Sequence, residues 1–157
     1  MKRPWNLPNI PVYSLATYTG QKVNMNICTY VSAVSTKPKR YMIAVYRQTQ
    51  SLQNVLHSKT AILQLLGKQH VSLVNALGKK SGFRYDKESY LTNKKWLGLW
   101  NDKKVLAQCA GLIEIEKIWS KDAGDHMMFL FDVKRFQTHH ENILMLDDLR
   151  EKKLLRI

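Results

Sequence analysis

The chain has 157 residues, 45% of them apolar and 24% charged, with 25 Lys and Arg against 12 Asp and Glu for a formal charge of +13. This composition excludes a disordered chain and is enough for one substantial core, so a single domain spanning 1–157 is expected. No apolar run reaches bilayer length and none follows Met1-Lys2-Arg3-Pro4-Trp5, so the expectation is a cytoplasmic protein with no membrane contact and no signal peptide.

The lead-in up to Pro11 holds three of the four prolines and reads as extended. Residues 12–18 read as a first strand, and 19–22 as a hairpin turn into Val23. Two apolar runs follow, 27–34 and 41–46, on either side of a polar turn at Pro38. The second is continuous enough to suit a strand buried on both faces. Arg47 and a polar cluster come next, then a helix from about Ser51, where Leu52, Val55 and Leu56 recur at helical spacing as far as Ser58. A strand ending in a cation and hydroxyls beside a helix start can seat an anion. The same residues also suit a plain strand-to-helix loop with a serine cap.

Residues 61–66 read as a buried strand closed by Gly67. Val71, Leu73, Val74 and Leu77 mark a second helix, stopped by Gly78. The stretch 78–87 is polar and basic, an exposed loop, and 96–102 is a short strand or turn. Residues 105–118 read as one long strand whose second half alternates, with Ile113 and Ile115 against Glu114 and Glu116. A turn cluster at 120–125 leads into a strand over 126–136, with Met127, Phe129, Phe131 and Val133 on one face. The tail, 147–157, is basic and amphipathic and helical at its start. Six or so strands with two short inserted helices predict a mainly β fold, a closed antiparallel barrel with helical additions.

Cys28 and Cys109 sit inside apolar runs and read as buried small hydrophobes. The five histidines have no Cys or carboxylate at a usual ligand spacing, so no metal site is expected. Walker, Gly-x-Gly-x-x-Gly and Gly-x-Ser-x-Gly patterns are missing. The positive charge favours an anionic partner, but the cations come in small groups without a nucleic-acid module, which makes nucleic acid an unlikely partner. His126, opening a strand after Gly124-Asp125, belongs at a rim rather than in a core.

Four stretches carry more in their order than singly: Asn24 with 29–35 and Pro38; Ser51-Leu52-Gln53-Asn54-Val55 with Ser58 before an apolar strand; Ser81-Gly82 with Asp86-Lys87; and Gly124-Asp125-His126. Between about residues 13 and 136 the chain thereby resembles the flavin reductase-like, FMN-binding split-barrel family, in particular its flavoredoxin branch. The resemblance implies an antiparallel FMN-binding split barrel with short helices, assembled as a homodimer with one FMN per protomer near the interface. It implies hydride transfer from NADH or NADPH to the flavin. Flavin contacts fall on Asn24, Tyr30, Ser51, Lys87 and His126, with Thr29, Tyr30, Val31, Ser32 and Ala33 along the isoalloxazine and Tyr46 in the same set. His126 is the expected catalytic residue. Arg47 is added from its own chemistry, as positive charge for a phosphate or a reduced anionic flavin. Tyr30 stands where the family often has Trp, and Ser51 where it commonly has Thr. A late aromatic over the flavin is not evident. One alternative is an FMN electron carrier without pyridine-nucleotide activity, steered to an acidic redox partner protein by the basic surface. A more distant one is a basic nucleic-acid-binding barrel that stacks bases on Tyr41, Phe83 or Trp96.

Overall fold

A computed structural model describes residues 1–155; the last two residues of the predicted tail lie outside the described residues. Strand β1 (Tyr13–Thr19) turns at Gly20, whose φ of +60° is a conformation that glycine adopts without strain, into β2 (Lys22–Met25). Strand β3 (Val31–Thr36) pairs with β4 (Lys39–Tyr46), helix α1 (Gln50–His57) follows, and β5 (Thr60–Leu65) runs back along β1. After two irregular turns and helix α2 (Lys87–Asn93) come the hairpin β6 (Leu97–Trp100) and β7 (Lys103–Leu106). The long β8 (Gly111–Asp122) and β9 (His126–Thr138) form the largest hairpin, and α3 (Leu146–Glu151) ends the described structure.

Seven strands make one antiparallel sheet in the order β2-β1-β5-β8-β9-β4-β3. The sheet closes through the segment between β2 and β3. Cys28 exchanges both backbone hydrogen bonds with Tyr13 of β1 (2.8 and 2.9 Å), and Tyr30 O accepts from Ala44 N of β4 (2.9 Å). The architecture is thus mainly antiparallel β with short helices, as expected. Inside the barrel Leu15, Ile43, Val45, Leu63, Ile115, Phe129 and Phe131 meet Leu52 and Val55 of α1. A second core lies outside β1 and β5, where Ala16, Val23, Met25 and Ile62 pack against Leu73, Leu77, Leu91 and Leu149. Strands β1 and β5 are therefore covered on both faces.

Several predicted elements are corrected. The run 27–34 is a strand only from Val31, because 28–30 must cross from β1 to β4 to close the barrel. Strand β4 is not buried on both faces: Ile43 and Val45 point inward, while Met42 and Ala44 are half-buried and Tyr46 is exposed. The second predicted helix is a 3-10 turn (Lys68–Leu73) followed by a π turn (Asn75–Lys79) that runs through Gly78 instead of stopping at it. The single strand over 105–118 is broken at 107–110, where Gln108 adopts φ +62°. Three histidines hold that break at three successive carbonyls. His70 Nε2 is 2.8 Å from Ala107 O, His140 Nε2 3.0 Å from Gln108 O, and His139 Nδ1 3.0 Å from Cys109 O. Helix α2 was not anticipated; Asp86 caps it by accepting from Ser89 N (3.0 Å).

Candidate functional site

A cleft of about 1300 Å³ opens where the β2–β3 crossing, the end of β4 and the start of α1 meet. Thr49 rather than a serine caps α1: its Oγ1 accepts from Leu52 N (3.1 Å) and donates to Tyr46 O (2.7 Å). The amides of Gln50 and Ser51 belong to a first turn that has no intrahelical acceptor for them. Ser51 is 1% exposed and its Oγ accepts from Asn24 Nδ2 (3.1 Å), which ties the helix start to β2. Gly82 seals the wall. A Cβ there would lie 2.4 Å from Asn24 Oδ1 and 3.0 Å from Gln50 Cβ, so a side chain at 82 would push the Asn24 amide from its place.

The rim is aromatic. His126 lies between Tyr30 and Tyr46, with ring centroids 5.1 and 5.4 Å away. Its Nδ1 donates to Asp125 Oδ1 (2.7 Å), which leaves Nε2 as the free ring nitrogen. Tyr30 and Tyr46 are 55% and 43% exposed, so their faces are available to a planar ligand.

Seven of the eleven sequence-predicted site residues line this one cleft: Asn24, Thr29, Tyr30, Tyr46, Ser51, Lys87 and His126. Lys87 has a second commitment. It is 6% exposed, and its Nζ donates to Leu77 O (2.7 Å) and Met25 O (3.0 Å), leaving one donor for the cleft. Burial lowers its pKa from 10.5 to about 8, against which the two carbonyls favour the charged form.

Val31, Ser32 and Ala33 do not line the cleft; they have already turned into the β3 ladder, paired with Ile43, Met42 and Tyr41. Arg47 does not line it either. Its Nε donates to Gly124 O (2.7 Å), its guanidinium pairs with Asp122, and its backbone N donates to Asp125 O (3.0 Å). It thus fastens the turn that delivers His126. The Gly124 amide and then Arg47 hold the Asp122 carboxyl below its ordinary pKa.

Sequence reasoning missed several contributors. Thr49 and Gln50 could have been read from a capping pattern two residues earlier, and Gly82 from its place beside Ser81. Cys28, expected in the core, is half-buried and lines the cleft, with its thiol pushed up to about 12 by burial. Lys2, Arg3, Trp5, Arg150 and Lys153 also line it, and nothing in sequence order brings the two termini together.

Comparison with known proteins agrees with this architecture. A search of curated proteins found no match. The fold is similar to an FMN-binding protein from Thermus thermophilus solved with bound 1-cyclohex-2-enone, 16% identical over 88% of this chain and 75% of that one, with a TM-score of 0.76. It is also similar to the styrene monooxygenase flavin reductase of Pseudomonas putida S12, 14% identical over 90% and 88% of the two chains, with a TM-score of 0.75. Flavoredoxin from Methanosarcina acetivorans is 15% identical over 88% and 75%, again with a TM-score of 0.75. The model of the flavin reductase like domain matches residues 9–153, nearly the whole chain, and the protein therefore belongs to that family.

Proposed function

We propose that the cleft holds FMN and that the protein reduces it with NADH or NADPH. The observation that carries this reading is the convergence of Asn24, Tyr30, Ser51, Lys87 and His126, from separate parts of the chain, on one cleft. The residues suit the cofactor. The open amides of the α1 first turn and the remaining Lys87 donor match a phosphate. Gly82 leaves room for the Asn24 amide and Gln50 against the loop, so polar side chains stay on the wall. The tyrosine faces match a flat ring system.

Flavin supplies the hydride chemistry when bound, and the chain's task is to bind, orient and exclude water. Ser51 and Asn24 fix each other and the helix start. Asp125 fixes the His126 ring, so that Nε2 would be the nitrogen left to meet a ligand or donor at the rim. Arg47 fixes the turn beneath both. Among the described residues the depth of the cleft holds no acid–base pair, which fits a reaction whose electronics belong to the cofactor.

The proposed assembly is a homodimer. Facing outward on adjacent strands, Met42, Leu130 and Trp119 lie side by side, with Met128 beside them and Val34 (45% exposed) at the β3 edge. This apolar face runs directly into the Tyr46–His126 pair, so a second copy placed there would reach the cleft rim.

Fluorescence titration of the purified protein with FMN, followed by stopped-flow mixing with NADH and NADPH, tests the reading. Saturable binding and bleaching of the flavin bands are expected, and failure to bind FMN refutes the assignment. A second reading keeps the FMN and drops the pyridine nucleotide, with electrons exchanged through an acidic protein partner; the +13 charge favours it. Flavin left oxidised by both nucleotides but bleached by a reduced protein donor decides for that reading. The expected cytoplasmic location stays part of this proposal; no helix among the described residues is long and apolar enough to cross a membrane.

A further inference from the structure

Two of the three histidines at the 107–110 break also hold a seam on which two walls of the cleft depend. The seam joins residues 66–68 to residues 142–144. Lys68 N donates to Asn142 O (3.1 Å), Leu144 N donates to Leu66 O (2.9 Å), and Gly67 bridges to Ile143. On one side it leads into α3 and the residues after it, which place Arg150 and Lys153 on the cleft lining. On the other side it leads through the 3-10 turn into the π turn. There Leu77 O holds Lys87 Nζ, and the following loop supplies Lys80, Ser81 and Gly82 to the cleft.

His70 sits at the junction. Its ring is fully buried and packs on Trp96, with centroids 5.1 Å apart. Nδ1 accepts from Gly67 N (2.9 Å), which requires a lone pair there, so Nε2 carries the proton and donates to Ala107 O (2.8 Å). His140 repeats the pattern across the seam, accepting from Asn142 N (3.2 Å) at Nδ1, with Nε2 3.0 Å from Gln108 O. A second proton on His70 would set an N–H against the Gly67 N–H and place a charge in the core. The charged and titratable groups on the surrounding elements do not support that charge. Lys68 is paired with Asp148, while Lys94, Lys95, His139 and Glu141 are exposed, and burial keeps Cys109 a thiol. Only His140 acts on the ring, and it opposes a second positive charge.

We propose that His70 is a proton-operated latch on the cleft: its neutral ring keeps the seam closed, and protonation opens the seam and loosens both walls. The latch does not depend on what the cleft binds, whereas its effect on FMN rests on reading the cleft as a flavin site. Burial lowers the pKa of the ring, so the latch is shut above the unfolded value of about 6.5 and weakens as pH falls toward the lowered folded value.

Amide exchange of the full-length protein, read residue by residue at pH 7.5 and 5.5 and corrected for the intrinsic rate, tests the latch. The Gly67, Lys68 and Leu144 amides should exchange faster than those of the β8–β9 hairpin at both pH values, because the seam opens without global unfolding. Their opening constant should rise by up to about tenfold from pH 7.5 to 5.5. His70→Gln, which keeps a donor and an acceptor but takes up no proton, should abolish the rise. FMN at about 100 times its Kd should slow seam opening about hundredfold, because the opened cleft no longer binds it. Seam amides that exchange no faster than the hairpin, that ignore pH, or that respond equally in His70→Gln overturn the latch. Bound FMN that leaves seam exchange unchanged overturns its link to the cleft. Should His70→Gln fail to fold, ring NMR of the wild type decides. Protonation of His70 must then share its midpoint with seam opening, and protonation that leaves the seam amides unchanged overturns the latch. Protein that binds no FMN refutes the flavin reading, and the pH series then decides the latch alone.

Discussion

Lys87 tests the site most sharply, because the same ammonium is a structural tie and a candidate phosphate donor. Holding a charge on a group whose pKa falls from 10.5 to about 8 costs about 3 kcal/mol at neutral pH. Lys87→Met removes that cost but orphans the Met25 and Leu77 carbonyls, at about 1–3 kcal/mol each. The two effects nearly offset, and a net loss of about 1–2 kcal/mol is expected at pH 7. The pH dependence is the sharper signature. Between pH 8 and 10.5 the unfolded chain carries a proton that folded Lys87 has released, so raising the pH favours folding. The neutral amine still donates to both carbonyls. The wild type's advantage over Lys87→Met should therefore grow by up to about 3 kcal/mol across that window. Tyr13, Cys28 and Cys109, each raised to about 12 by burial, lower stability at high pH, but they do so equally in both proteins and cancel in the difference. Urea unfolding at pH 7, 8, 9 and 10 measures it. A difference that stays flat or shrinks with pH refutes the buried, carbonyl-held ammonium.

Three other outcomes follow from the geometry. Gly82→Ala forces Asn24 off Ser51 and should weaken FMN binding about tenfold or more while costing about 1–3 kcal/mol of stability, checked by FMN titration beside thermal unfolding. Unchanged FMN affinity would remove the Asn24–Ser51 pair from the site. Arg47→Met should leave the KM for FMN nearly constant and lower kcat, because the turn carrying His126 loosens; a raised KM with intact kcat would return Arg47 to the role of a direct ligand. Burial lowers the pKa of His70, whose Nδ1 accepts from Gly67 N (2.9 Å) in the neutral ring. Its contribution is present above the unfolded pKa of about 6.5 and is lost as pH falls toward the lowered folded value. Thermal scans from pH 7.5 to 5 should show a drop in Tm that His70→Gln flattens.

Local periodicity carried much of the fold. Leu52 and Val55 at helical spacing, and Phe129 and Phe131 two apart, face the core they were expected to face, because a side chain's direction repeats with its own element. The candidate site was legible where a residue's role rests on its neighbours: Ser51 beside a helix start, His126 after a glycine turn. It was not legible where the partner lies far along the chain. Arg47 meets its partners at 122–125, which β4–β9 pairing alone brings near. Lys87 reads as exposed in a basic loop, yet its carbonyls come from 10 and 62 residues away. The break at 107–110 has no glycine to announce it, since three distant histidines hold Gln108 at φ +62°.

Sequence by itself thus determined the inward faces of α1 and β9 and the place of the α1 start, which depend on residues within a turn of one another. Tertiary structure decided which cations face the cleft and which are held by carbonyls or carboxylates. A charge is directed by whatever acceptor the fold brings within about 3 Å, and chain order carries no record of that distance.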